Sequence, residues 1–205
     1  MPRRLINILI GTAIGLGLVG AFWYLAPGRD AGAPRTVAET TIKLGGPFEL
    51  VRHDGVTVTE AAFRGKYMLI YFGFTYCPDV CPLELANMTR ALEVLEAAGG
   101  DAEAVQPVFV SIDPERDTPE AMARYVSLFH PRMVGLTGSL EQVAAAARAY
   151  RVYYRKAVDE GGASEYLMDH SSIVFLMGPD GDYVTHFAPN TPADAMAEKL
   201  ESVVG

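Results

Sequence analysis

Hydrophobic positions fall into distinct regimes along the chain. From Leu5 to Leu25 they form one nearly unbroken apolar run, long enough for a helix to cross the hydrocarbon core of a bilayer. The next stretch, to Thr41, is rich in Pro, Gly, Ala and Thr and predicts a flexible linker. Beyond it, apolar runs of strand or helix length alternate with polar turns. Phe48-Glu-Leu-Val51 and Val56-Thr-Val58 flank His53-Asp-Gly55, an Asp-Gly hairpin signal. Tyr67–Phe72 is continuously apolar, the pattern of a strand buried on both faces. Pro82–Ala98 predicts a helix, with Leu85, Met88, Leu92 and Leu95 on one face and Gly99-Gly100 as its stop. Val108–Asp113 predicts a second buried strand, and Thr118-Pro119 opens a helix that runs to about Phe129. A short strand over Met133–Leu136, an Ala-rich helix over Ser139–Tyr150 and an extended Val152–Lys156 follow. Ser172–Met177 and Tyr183–Phe187 flank Pro179-Asp-Gly181, a second hairpin signal, and a helix over Thr191–Val203 closes the pattern.

The predicted order is a hairpin, then β-α-β-α-β-α, then a hairpin and a last helix. Such alternation implies an α/β domain with helices flanking a mixed sheet. The antiparallel hairpin before the last helix makes that sheet thioredoxin-like, with an added N-terminal hairpin. Three regions result: a cytoplasmic tip and transmembrane anchor over 1–26, a linker over 27–41 and a globular domain over 42–205.

Arg3 and Arg4 precede the apolar run, and Phe22, Trp23 and Tyr24 end it where interfacial aromatics belong. Ala31-Gly-Ala33 is the best cleavage candidate, but Pro34 follows it. These features predict an uncleaved single-pass anchor with its N-terminus in the cytoplasm. No long Arg- and Ser-rich transit sequence stands before the run, so the expectation is a bacterial inner membrane with the domain in the periplasm.

Charge narrows the partners. The chain carries 17 basic and 25 acidic residues. Residues 1–35 hold four arginines and Asp30, so the remainder has 13 basic and 24 acidic residues, net −11. An acidic domain excludes nucleic acid, whose phosphates need a basic footprint.

The two cysteines, Cys77 and Cys81, lie between the first buried strand and the predicted helix. Partial positive charge and free N–H groups at a helix start favour thiolate over thiol. Thiolates bind metal or attack disulfides, so the pair is a metal site or a redox pair that closes a Cys77–Cys81 disulfide. An inert disulfide pinning the turn is the bland reading. His170 precedes the strand Ser172–Met177; if that strand runs antiparallel to Tyr67–Phe72, His170 reaches the edge that carries the cysteines. On the residue pattern alone it is either a third ligand or a hydrogen-bonding residue. Two thiolates and an imidazole suit Cu(I), and Cu(II) with an added water, while structural zinc ordinarily takes four ligands. His53 is expected to be solvated in its turn, His130 to complement a helix C-terminus, and His186 to alternate along a strand. Met88 belongs to a core face, and Met168 either packs or adds a soft ligand. The loop Ser111–Glu120 leaves the second strand at the same edge, as a turn with a helix cap or as a docking rim.

Three segments together carry a resemblance. Phe72-Gly-Phe-Thr-Tyr-Cys-Pro-Asp-Val-Cys-Pro82, Ser111-Ile-Asp-Pro-Glu-Arg-Asp-Thr-Pro-Glu120 and Asp169-His-Ser-Ser, followed by Gly178-Pro-Asp-Gly181, resemble the Sco (SCO/SenC) family. The similarity covers most of 42–205. It implies a membrane-anchored copper metallochaperone with Cys77, Cys81 and His170 as ligands of one copper ion. It further implies a role in building the CuA site of cytochrome c oxidase subunit II, a periplasmic copper donor and a thioredoxin-like thiol reductant. The alternative is a thiol–disulfide reductase acting on that subunit's cysteines. A peroxidase is weaker, because no P-x-x-x-T-x-x-C arrangement surrounds Cys77. Tyr76 stands where many family members have histidine.

Overall fold

A computed structural model describes residues 43–158 and 166–204, with isolated positions at Leu16, Ala21, Phe22 and Tyr24. The anchor expected over Leu5–Leu25 and the linker therefore fall almost wholly outside the described residues. Among the described residues no helix is long and apolar enough to cross a membrane.

The domain opens with the hairpin of β1 (Glu49–Arg52) and β2 (Thr57–Thr59). Asp54 and Gly55 make its turn: Gly55 adopts φ 85°, and the Asp54 carboxylate accepts the Val56 N–H at 3.1 Å. Next come β3 (Tyr67–Gly73), α1 (Val80–Ala97), β4 (Val105–Ser111), α2 (Pro119–Val126), β5 (Val134–Thr137) and α3 (Leu140–Ala149). After them come β6 (Tyr154–Val158), β7 (Tyr166–His170), β8 (Val174–Met177), β9 (Tyr183–Phe187) and α4 (Ala193–Val204).

Among the described residues seven strands form one sheet in the order β2-β1-β5-β4-β3-β8-β9. β3, β4 and β5 run parallel, while β8 lies antiparallel on the other side of β3 with Tyr71 opposite Val174. The central strands are buried along nearly their whole length, which explains their unbroken apolar sequences. α1 packs against α4, and α2 against β5. The mixed, helix-flanked, thioredoxin-like sheet is as the order of elements predicts.

Two details differ. α1 starts two residues before Pro82, so Cys81 lies inside its first turn rather than ahead of it. And among the described residues β6 and β7 pair only with each other, in a separate antiparallel ladder with Tyr154 opposite His170 and Val158 opposite Tyr166. The pattern revealed β6 alone. Tyr-Leu-Met-Asp-His does not alternate cleanly, and the Gly161-Gly162 pair before it is embedded in a longer polar stretch instead of forming a two-residue connection between alternating runs.

Candidate metal centre

Strand direction assembles the site. β3 and β4 both end at one edge of the sheet, and the antiparallel β8 begins there. The chain leaves β3 at Gly73 and reaches Cys77 in the turn before α1. The residues just before β8 return His170 to the same edge. His170 Nε2 stands 3.6 Å from Cys81 Sγ, across 89 positions of sequence.

Gly73 permits this approach. A Cβ there would fall 2.8 Å from Cys81 Sγ and 3.0 Å from ring atoms of both Tyr71 and Phe109. Cys81 is wholly buried, while Cys77 is half-buried. The Asp79 side chain makes no cap on α1; instead the Cys81 N–H donates to Cys77 Sγ at 3.4 Å. The Tyr71 hydroxyl donates to Cys81 Sγ at 3.7 Å. Phe74 and Tyr71 meet the His170 ring edge-on, with centroids 5.9 and 6.1 Å away.

The two sulfurs are therefore inequivalent. The thiol of Cys81 donates to Cys77 and lowers its pKa to about 4, aided by His170 and by the backbone N–H groups of Cys81 and Asp79, against the opposing effect of burial. Cys81 moves the other way, raised first by that same hydrogen bond to Cys77, then by burial and by the negative charge of Cys77. The thiolate expected at both positions thus falls to Cys77, chiefly through the Cys81 thiol, with the N–H groups of the helix start contributing less. Both cysteines are free in this structure.

The three candidate ligands come together: Cys81 meets both Cys77 and His170, and His170 also reaches Cys77. Among the described residues no three Cys, His, Asp or Glu side chains already stand in a ready-made metal-holding group. The remaining candidates lie elsewhere. His53 is not merely solvated: its Nδ1 accepts the Gly135 N–H at 3.0 Å. His130 is buried, its Nδ1 accepts the Arg132 N–H at 3.2 Å, and burial lowers its pKa, so it does not serve as a charged partner of a helix end. His186 pairs with the Tyr183 hydroxyl at 2.5 Å. Met88 and Met168 belong to the core.

The loop after β4 works inward. Thr118 caps α2 by accepting the Ala121 N–H. The buried Asp117 accepts from the Thr75 hydroxyl at 2.5 Å, the Ser111 hydroxyl at 2.7 Å and the Thr75 N–H at 3.1 Å, tying the loop to the turn that carries Cys77. Burial raises its pKa against those hydrogen bonds. Sequence reasoning missed Asp117, Tyr71 and Gly73 as parts of the site. Only Gly73, a glycine ending an apolar strand four residues before a cysteine, left a readable signal.

The SCO1/SenC family model matches residues 36–205. "Protein SCO2 homolog, mitochondrial" of Bos taurus is 42% identical over 202 residues, covering 97% of this chain and 75% of that protein. "Protein SCO1 homolog, mitochondrial" of Homo sapiens is 48% identical over 160 residues, covering 77% of this chain and 52% of that protein. A crystal structure of Arabidopsis thaliana ScoI with copper bound superposes with a TM-score of 0.72 at 44% identity, covering 78% of this chain and 96% of that one. The bovine and human relatives are mitochondrial by name, which overturns the expected bacterial inner membrane with a periplasmic domain. That expectation rested on the lack of a transit-type sequence before the apolar run, a signal that does not decide the compartment.

Proposed function

The chain belongs to the SCO1/SenC family, and from that premise we propose that it is a copper metallochaperone assisting assembly of the CuA site of cytochrome c oxidase subunit II. It holds one copper ion, its cargo, through Cys77, Cys81 and His170. The approach of His170 Nε2 to Cys81 Sγ is the observation that carries this reading. An inert disulfide would need neither that imidazole nor a sulfur held as thiolate. Two sulfurs and an imidazole match the soft, low-coordinate preference of Cu(I), with room for Cu(II) and a further ligand. Cys77 is poised as a thiolate, whereas Cys81 must release its proton as copper arrives. His170 Nδ1 lies 3.2 Å from the Ser171 carbonyl, and donating its proton there once copper is bound would free the Nε2 lone pair for the metal. The partners of this reading are subunit II, a copper donor and a thioredoxin-like reductant that keeps the pair open. Residues 42–205 form the copper-binding domain, 27–41 a linker and 1–26 an apolar anchor.

The inequality of the two sulfurs favours one second reading, a thiol–disulfide reductase. The Cys77 thiolate attacks a target disulfide and displaces one target sulfur as thiolate. Cys81, having given up its proton, then attacks Cys77. The products are a Cys77–Cys81 disulfide and a target dithiol, two electrons having passed to the target. His170→Ala separates the readings, because it removes one ligand and leaves both sulfurs. For copper delivery, purified His170→Ala binds Cu(I) more weakly and cells carrying it fail to assemble oxidase, with rescue by added copper. Normal oxidase assembly alongside lost copper binding would transfer the function to the reductase. Separately, the oxidised protein takes up no Cu(I) until reduced; equal uptake by both forms would remove the cysteines as ligands.

A further inference from the structure

His170 ends a hairpin that lies outside the main sheet, since among the described residues β6 and β7 pair only with each other. Two-stranded ribbons are marginal on their own in water. What docks this one decides whether His170 stands over Cys81. In a strand, alternate residues share a face, so Tyr166, Met168 and His170 point the same way. Met168 is buried in the core and His170 meets Cys81.

Tyr166 is held by the loop after β4. Its hydroxyl donates to Asp113 Oδ1 at 2.8 Å. The Arg116 guanidinium lies 3.7 Å from the centre of its ring, and Arg116 Nη1 donates to its carbonyl at 3.0 Å. The buried Asp113 fixes Arg116 in turn, accepting from its Nε at 2.5 Å. The other side of the guanidinium environment is Tyr76, with its ring centre at 4.6 Å, directly before Cys77. Lys156 of β6 pairs with Glu115 of the same loop. One guanidinium thus touches both the hairpin that ends in His170 and the turn that holds Cys77.

We propose that Arg116, locked by Asp113, is a positioning residue that fastens the far end of β7 and so presents His170 to the cysteines. It acts by bridging Tyr166, four positions before His170 on the same strand face, to Tyr76 beside Cys77. Lysine cannot replace it, since an ammonium lacks the flat fork that stacks and donates at once. The proposal rests on His170 being a ligand, but the docking it describes exists without metal.

The test has a metal-free arm and a copper arm. In the metal-free arm, hydrogen exchange is followed in reduced wild type, Arg116→Gln, Arg116→Lys and Tyr166→Phe. Amides of 166–170 exchange about tenfold faster in Arg116→Gln, the scale of one hydrogen bond to a charged group. Tyr166→Phe, which keeps the ring and loses only the hydroxyl, shows a smaller effect of the same sign. Protection of β3 is unchanged in each, which shows that the fold is intact. In the copper arm, Cu(I) affinity falls about tenfold in Arg116→Gln, with little rescue by Arg116→Lys, and does not fall further when the change is added to His170→Ala. Unchanged exchange at 166–170 would overturn the proposal. So would an equal affinity loss in the His170→Ala background, because Arg116 would then act on the copper site by another route. Failure of wild type to bind Cu(I) would instead refute the metallochaperone reading, and the exchange result would still decide the docking.

Discussion

Gly73→Ala adds one methyl group where β3 meets the cysteine turn, and its consequence can be worked from distances. The new Cβ would lie 2.8 Å from Cys81 Sγ and 3.0 Å from Tyr71 and Phe109 ring atoms. Favourable non-bonded contact between carbon atoms lies at roughly 3.5–4.0 Å, so the overlap is close to 1 Å. Both aromatic rings are buried, and Cys81 is held on the first turn of α1, so no neighbour has an open direction of retreat. The φ of Gly73 is not positive, so the cost is packing alone and not backbone strain. Overpacking of this kind destabilises by about 1–3 kcal/mol. It also pushes the sulfur away from its position beside His170. Disturbing the surroundings of a metal ligand typically lowers affinity about 10- to 100-fold. Urea unfolding of the reduced protein reads the first effect as a lower midpoint at constant m. Competition with a Cu(I) chelator reads the second. Wild-type stability in Gly73→Ala would refute the packing argument. A loss of stability with unchanged copper affinity would refute the claim that Gly73 sets the position of the Cys81 sulfur.

Two further outcomes are expected. Because Cys77 is lowered to about 4, native protein is alkylated there by iodoacetamide at a rate that holds nearly constant from pH 8 down to about 5, while Cys81 stays unmodified; Cys81→Ala moves the Cys77 midpoint upward by removing its largest cause, and mass mapping across pH checks both. His130 is neutral in the fold because burial lowers its pKa, so its contribution to stability is full above the ordinary histidine range and is lost as pH falls through that range toward the folded value; wild type should lose more stability than His130→Asn between pH 7 and about 5, as urea midpoints will show.

Particular residues show how far sequence alone leads. The run Tyr67–Phe72 was readable because both faces of β3 are covered, so burial itself writes the pattern. The approach of His170 followed from one inference, that β8 runs antiparallel to β3, and the register bears it out. The start of α1 differs by two residues because proline suits a first turn without having to open it, and Pro82 is the third residue of the helix. Cys81 is buried where Gly73 leaves room beside its sulfur and the Tyr71 hydroxyl reaches it, and spacing within one segment carries no record of that. Arg116 and Asp113 belong to a loop that reads from sequence as a turn with a helix cap or as a docking rim, and nothing in the pattern singles them out. Their role appears only when a hairpin 50 residues onward brings Tyr166 beside them.

The claim that three side chains hold copper is tested most directly by copper K-edge X-ray absorption on the reduced protein loaded with one equivalent of Cu(I). The account predicts two sulfur donors and one imidazole nitrogen, with the nitrogen lost and both sulfurs kept in His170→Ala. A wild-type spectrum with no nitrogen donor, or one that His170→Ala leaves unchanged, would contradict it.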